Sequence, residues 1–303
     1  MTAITRILCP VDFSDASKHA LTHAVALARW YSARLTVQHV YRIAIPAAAL
    51  SPGMGSIGAE AVMMATVDEG ALRADLERFV SAVASGLTVE YLIAEGDAAN
   101  AIVAAAKGSS LVVLGTHGRS GFERLILGSV TEKVLRKAPC AVLTIPPASS
   151  GPASSPVAPR LFARIVVATD FSAASDQAVR YALSLAREAD AHLTVVHVLT
   201  IPDTAGEWLY GREAEDLVRD ATDTARQLLA KAVPAAAREG CTVVERLEKG
   251  KPYERIVNLA TTDNAGLIVL GAHGHGMVDQ LFFGSTAQHV VRQAHCPVLT
   301  VRP

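Results

Sequence analysis

Leu111-Val112-Val113-Leu114-Gly115-Thr116-His117-Gly118-Arg119-Ser120-Gly121 is an apolar run that breaks into a glycine turn, and after a gap of nine residues beyond Gly118 stands Gly128-Ser129. The run reads as a buried strand, and Val130 to Leu135 behind the later glycine read as a helix. Glycine lets backbone approach a ligand closely, and a helix N-terminus favours anions through its free N–H groups and its dipole. Two such features a few residues apart suit a polyphosphate chain. The pattern returns once: Leu267-Ile268-Val269-Leu270 leads into Gly271-Ala272-His273-Gly274, and Gly284-Ser285 follows after the same nine-residue gap. One glycine pattern is weak evidence; a spaced pattern found twice after an apolar strand is much stronger.

The first half alternates throughout. Strands are expected at Arg6 to Val11, Arg34 to Tyr41, Val89 to Ala94, Leu111 to Leu114 and Cys140 to Ile145. Helices are expected over Ala16 to Tyr31, Ala59 to Ser85, Asp97 to Lys107 and Leu125 to Lys137. In the first helix Ala20, Ala24, Leu27, Ala28 and Tyr31 make the apolar face; in the second Leu72, Leu76, Phe79, Val80 and Val83 do. Alternation of this kind implies a parallel sheet covered on both faces. Ser14 or Asp15 caps the first helix, so Asp12 falls at the carboxyl end of a strand, as a turn residue or as part of a site.

Pro146 to Arg160, rich in Pro, Ser and Ala, reads as a stiffened linker. The second half then repeats the first. Ile165 to Ser172 answers Ile7 to Ser14, His197-Val198 answers His39-Val40, and Lys249-Gly250-Lys251-Pro252 answers Glu95-Gly96-Asp97-Ala98. A long helix is expected over Glu213 to Arg238, bent or ended at Pro234, and a last strand over Cys296 to Val301. The expected division is 1–146, a linker at 147–160, and 161–303.

Composition narrows the function. A formal net charge of −1 argues against a general nucleic-acid binder, which needs a basic face. Four well-separated cysteines without a C-x-x-C suggest free thiols, buried in or beside strands, in a reducing cytoplasm. No stretch reads as a membrane span: the uncharged stretch Ile43 to Ala59 is broken by Pro46, Pro52 and glycines. Within it Gly53-Met54-Gly55-Ser56-Ile57-Gly58 matches a dinucleotide fingerprint, but it neither follows a strand directly nor opens a helix, so it reads as a loop. There is no P-loop and no G-x-S-x-G elbow. His273 and His275 have metal-ligand spacing, but the first half has His117 and Arg119 in their place, so no dedicated metal site is expected. His19 and His23, four apart, read as a solvated helix face, and His39 and His197 as packed strand histidines. Ser14 and Ser172 read as helix caps, and no catalytic residue stands out.

In an open parallel sheet a ligand binds beyond the carboxyl ends of the strands, where strand order reverses. If the first and fourth strands are central neighbours, Asp12 and the loop from Gly115 meet at one crevice, flanked by Val40.

The Gly-x2-Gly-x9-Gly-Ser pair, with the repeat around it, resembles the universal stress proteins over nearly all of both halves. The resemblance implies an α/β fold: two tandem repeats of a five-stranded parallel sheet of order 3-2-1-4-5 with helices on both faces, Rossmann-like and similar to the adenine nucleotide alpha hydrolases. It implies ATP between the first and fourth strands, with Mg2+ carried on the phosphates. By that resemblance Asp12 binds ribose, and Val11 and Val40 frame adenine, with Pro10 beside them. Gly115, His117, Gly118, Arg119, Gly128, Ser129, Val130 and Thr131 then surround the phosphates. The second set is Thr169, Asp170, Val198, Gly271, His273, Gly274, His275, Gly284, Ser285 and Thr286. Both glycine motifs are intact, so two ATP sites per chain are expected. Arg119 is replaced by His275, so a weaker, more pH-dependent grip on phosphate is expected in the second half.

The resemblance also implies that the halves pack as an internal pseudo-dimer through their last strands, with a homodimer of chains as a further possibility. It implies a cytoplasmic stress-response switch whose ATP occupancy is read by an unidentified protein partner. The rival functions are a slow ATPase or autokinase, and a structural pairing module that needs no nucleotide.

Overall fold

The structure is a computed structural model that describes residues 4–43, 67–117, 127–147, 162–200, 212–234, 240–273 and 283–302. Several expectations fall outside these residues: nearly all of the linker, the loop after the second strand with its glycine fingerprint, the start of the long first-half helix, and Gly118, Arg119, Gly274 and His275.

In the first half the elements run β1 (Arg6–Val11), α1 (Asp15–Tyr31), β2 (Arg34–Tyr41), α2 (Glu69–Ser81), β3 (Val89–Glu95), α3 (Ala98–Ala106), β4 (Leu111–Gly115), α4 (Ser129–Lys137) and β5 (Ala141–Ile145). The second half repeats them as β6 (Arg164–Ala168), α5 (Ala173–Glu188), β7 (His192–Leu199), α6 (Arg212–Ala232), β8 (Thr242–Lys249), α7 (Pro252–Thr262), β9 (Leu267–Gly271), α8 (Ser285–Gln293) and β10 (Val298–Val301). Helix α6 stops two residues before Pro234, which has no N–H to continue it. Ser14 and Ser172 cap α1 and α5, accepting from the amides of Ser17 and Ser175.

The ten strands form one sheet of order β3-β2-β1-β4-β5-β10-β9-β6-β7-β8. Each half therefore has the expected 3-2-1-4-5 order, parallel throughout. The halves join where β5 meets β10 antiparallel, with Leu143 opposite Leu299 and Thr144 opposite Val298. Buried threonines tie this junction from both sides: Thr144 donates to the Val298 carbonyl (3.1 Å) and Thr300 to that of Val142 (3.3 Å). Cys140 and Cys296 precede these strands and take no part in the register.

Strand side chains alternate between two cores, one on each face of the sheet, and each core runs through both halves. Ile7, Cys9, Leu35 and Val37 join Ala20, Ala24, Leu76 and Val80, and continue into Ile165, Leu193, Ala178 and Leu229. Leu8, Val112 and Leu114 join Ile102 and Val134 on the other face, continuing into Val166, Ile256, Ile268 and Val290. Burying a side chain of this size contributes about 1.5–3 kcal/mol. The shared cores and the shared sheet make the repeat pair one packed body.

Two expectations need correcting. Only Cys9 of the four free thiols is buried; Cys140, Cys241 and Cys296 are half-buried. His23 does not lie on a solvated face: α1 is covered on that side, and the ring is buried. Its Nδ1 donates to the His19 carbonyl (3.0 Å), and its ring meets that of His19 edge-on. Burial pushes the His23 pKa down to about 4, an effect that outweighs the hydrogen bond. The unfolded histidine titrates near 6.5, so between these values the unfolded chain binds more protons. His23's contribution is therefore complete above about pH 6.5 and is lost as the pH falls towards 4. Denaturant titrations of wild type and His23→Gln at pH 7 and pH 4.5 check this. The acid loss of stability should shrink by about 2 kcal/mol in the variant.

Candidate functional site

Strands β1 and β4 pair only at their start. The register runs through Ile7–Leu111 and Leu8–Val112, while both strands continue, to Val11 and Gly115. Pro10 has no N–H to extend the ladder. Chain order reverses between these strands, with β2 and β3 on one side and β5 on the other. A cleft of about 300 Å³ opens at their carboxyl ends. Its counterpart between β6 and β9 measures about 270 Å³.

One wall is set by the end of β1. The Nδ1 of His39 donates to the Val11 carbonyl (2.9 Å), and the His39 ring packs on Phe13 with centroids 4.4 Å apart. Phe13 has φ of 64°, an uncommon conformation for a bulky residue, and Phe79 packs edge-on against its ring. The sharp turn brings Ser14 back onto Asp12, whose Oδ1 accepts from both the Ser14 amide (3.1 Å) and hydroxyl (2.5 Å). Asp12 is thus a turn residue and a cleft residue at once. The second half repeats the arrangement: His197 donates to the Thr169 carbonyl (2.8 Å), Phe171 has φ of 63°, and Asp170 accepts from Ser172.

The opposite wall follows β4. Gly115 reaches the cleft with no side chain, and a Cβ there would lie 3.2 Å from the Ala16 carbonyl oxygen of α1. Gly271 is tighter still, its Cβ falling 2.8 Å from the Ala174 carbonyl carbon and 2.9 Å from the Ser175 amide nitrogen. Thr116 turns the chain, its amide donating to Ile145 and its carbonyl accepting from the Gly128 amide (2.9 Å). A 2.9 Å hydrogen bond joins the Thr116 hydroxyl to Nδ1 of His117. The His117 Nε2 is buried and has no hydrogen-bond partner among the described residues. Gly128 and Gly284 occupy the N-cap positions of α4 and α8 without a side-chain cap. The first amides of these helices are left to whatever enters the cleft.

Of the residues singled out in the sequence, Pro10, Val11, Asp12, Val40, Gly115, His117, Gly128, Ser129, Val130 and Thr131 all line the first cleft. Thr169, Asp170, Val198, Gly271, His273, Gly284, Ser285 and Thr286 line the second. The sequence reading missed the third wall, built by α3 and α7 through Ala98 and Ile102, and Pro252 and Ile256. The matched turns Gly96-Asp97 and Gly250-Lys251 ahead of these helices were the available signal. It also missed Gln38, which lines the first cleft where Val196 lines the second. At the start of α3, Asp97 accepts from the Asn100 amide and pairs with Arg42 (2.6 Å); that capping bond foremost draws its pKa down. Lys251 stands in its place before α7.

The model of the universal stress protein family matches residues 3–146 and again 161–302. The chain belongs to the universal stress protein family. It is a tandem member: a universal stress protein of Mycolicibacterium smegmatis is 26% identical over 98% of this chain and 97% of its own length. A universal stress protein of Methanocaldococcus jannaschii is 32% identical over 47% of this chain and 83% of its own. Among solved structures, a universal stress protein from Archaeoglobus fulgidus superposes with a TM-score of 0.64 at 22% identity, covering 98% of each chain. A Pseudomonas aeruginosa protein of unknown function reaches 0.67 at 19% identity, over all of this chain and 94% of that one. At these identities the two structures speak for the fold. Among the described residues no helix is long and apolar enough to cross a membrane.

The glycine contacts give a direct test of how tightly the clefts are built. Gly271→Ala must displace the backbone at the start of α5, whereas Gly115→Ala needs a shift of a few tenths of an ångström. Overpacking of this kind costs about 1–3 kcal/mol. Chemical denaturation should place Gly271→Ala at the upper end of that range and Gly115→Ala near the lower.

Proposed function

We propose that this universal stress protein binds ATP in both clefts, and that occupancy sets a surface read by a protein partner. The observation that carries the reading is the matched pair: two clefts at the two strand-order reversals, each with an aspartate on one wall and an uncapped helix N-terminus on the other. An adenine nucleotide has the complementary parts: a flat base, a diol and a chain of anionic oxygens.

The apolar end, Val40 and Ile102 with Leu114, takes the base, and Val198, Ile256 and Leu270 do so in the second cleft. Asp12 and Asp170 accept hydrogen bonds from the sugar hydroxyls. The amides of Ser129, Val130 and Thr131, and those of Ser285, Thr286 and Ala287, donate to the phosphates, aided by the helix dipoles. His117 Nε2, which the described residues leave without a partner, completes the first phosphate wall. Gly118, Arg119, Gly274 and His275 belong to this set by sequence. Mg2+ enters on the phosphates rather than in a protein cage. Cleft volumes near 300 Å³ lie at the small end for ligand sites and suit a base and sugar, with the phosphates over the helix starts.

Binding is favoured over turnover because the carboxylate lining each cleft, Asp12 or Asp170, stands on the wall that takes the sugar, across from the helix start that takes the phosphates. A general base has to lie within hydrogen-bond reach of the proton it removes. The free thiols suit a reducing cytoplasm.

Gly128→Asp and Gly284→Asp test the reading. Aspartate is a favoured N-cap, so either substitution completes the helix start while setting a negative charge against phosphate. At Gly128 the new Cβ meets the Thr116 carbonyl oxygen at 3.3 Å, a contact that a small shift relieves. ATP at a hundredfold excess over Kd should stabilise the wild type by about 2.7 kcal/mol per site. Each single variant should lose part of the melting shift and the double variant all of it. No shift at millimolar ATP with Mg2+ would favour the nucleotide-independent pairing module. Phosphate release that disappears in the double variant would favour the slow ATPase.

A further inference from the structure

The first cleft contains a side chain that the fold itself does not require. Gln38 lies in β2, is only 1% exposed, and lines the cleft. Its Oε1 is buried without a hydrogen-bond partner among the described residues. In register it faces Pro10, which has no N–H to offer. Val40, on the same strand, and Ile102 of α3, across from it in the cleft lining, are apolar. The second half has Val196 at this position, fully buried and lining the second cleft. The repeat thus shows that an apolar residue satisfies the fold here. A buried amide left unpaired is unfavourable, so its presence in one copy points to a ligand.

Its location says which part of a ligand. Gln38 is on β2, while the helix start that suits phosphate follows β4, and β1 lies between them. Adjacent strands are about 4.8 Å apart, so Gln38 is roughly two strand spacings from the phosphate wall. It also lies two residues, about 7 Å, below the level of Val40. That is the floor of the apolar end, where a base would sit. A carboxamide presents a donor beside an acceptor, and adenine presents its exocyclic amino group beside a ring nitrogen, a match that makes two hydrogen bonds.

We infer that Gln38 is a specificity-determining residue of the first cleft, hydrogen-bonding the polar edge of adenine, and that the second cleft, with Val196, holds the base by apolar contact alone. This rests on the nucleotide reading above. The two clefts then differ in selectivity: the first discriminates against a purine that lacks the amino group, and the second accepts it.

Calorimetric titration with ATP and with purine riboside triphosphate, which lacks that amino group, measures the difference. Gly284→Asp protein reports the first cleft and Gly128→Asp protein the second. The first cleft should prefer ATP by about tenfold or more. Gln38→Val, and the near-isosteric Gln38→Met, should bring that ratio close to one while the cleft still binds. Val196→Gln should create a preference in the second cleft. Ligand-free Gln38→Val should melt above its parent, which also verifies that it folds. If ATP binds and the ratio is the same in Gln38→Val, Gln38→Met and their parent, the assignment of Gln38 is wrong while the nucleotide reading stands. If the wild type binds neither nucleotide at millimolar concentration, both fall.

Discussion

Two strand ends meet the start of a helix with no space for a side chain. At Gly271 the would-be Cβ comes 2.8 Å from the backbone of Ala174 and 2.9 Å from that of Ser175, and at Gly115 it comes 3.2 Å from the carbonyl oxygen of Ala16. That close approach lets β4 and β9 end beside the turns that carry Asp12 and Asp170. A larger residue would push strand and helix apart and part the two walls of each cleft. The remaining features are arranged around this contact. β1 and β4 stop pairing early, His39 and Phe13 hold the aspartate turn, and Thr116 swings the chain round to Gly128.

The β5–β10 junction makes the two clefts parts of one object. It extends the sheet to ten strands and lets both cores cross from one half to the other. A change in one cleft is therefore made in a body shared with the other. The halves are close copies in backbone but differ in chemistry. Gln38 corresponds to Val196 in the repeat, Thr131 to Ala287, and Asp97 to Lys251. Thr131 also donates to the Gly115 carbonyl (2.8 Å), a tie for which Ala287 has no hydroxyl.

Much of this was legible in the sequence because the relevant physics is local. Apolar runs, caps at Ser14 and Ser172, and glycines at fixed spacing are written in neighbouring residues, and the repeat doubled each signal. The strand order came from the family resemblance; the observed register agrees with it. What could not be read depends on contacts between distant segments. His23 reads as part of a solvated face in the sequence, yet it is buried in the fold. The α3 and α7 walls are made of ordinary Ala, Ile and Pro, which carry no chemical signature. Gln38 stands between Thr36 and Val40 on its face of β2, an ordinary strand pattern, and only the cleft and the missing partner give it meaning. The choice between turn and site for Asp12 was posed as an alternative; the turn is observed in its bonds to Ser14, and the same carboxylate lines the cleft.

The central claim is that both clefts take ATP, and counting bound nucleotide tests it most directly. Equilibrium dialysis of labelled ATP, with Mg2+, against the full chain gives the number per molecule. The account predicts two per chain for the wild type, one for either Gly128→Asp or Gly284→Asp, and none for the double variant. Saturation at zero for the wild type, or a count left unchanged by the glycine substitutions, would contradict it.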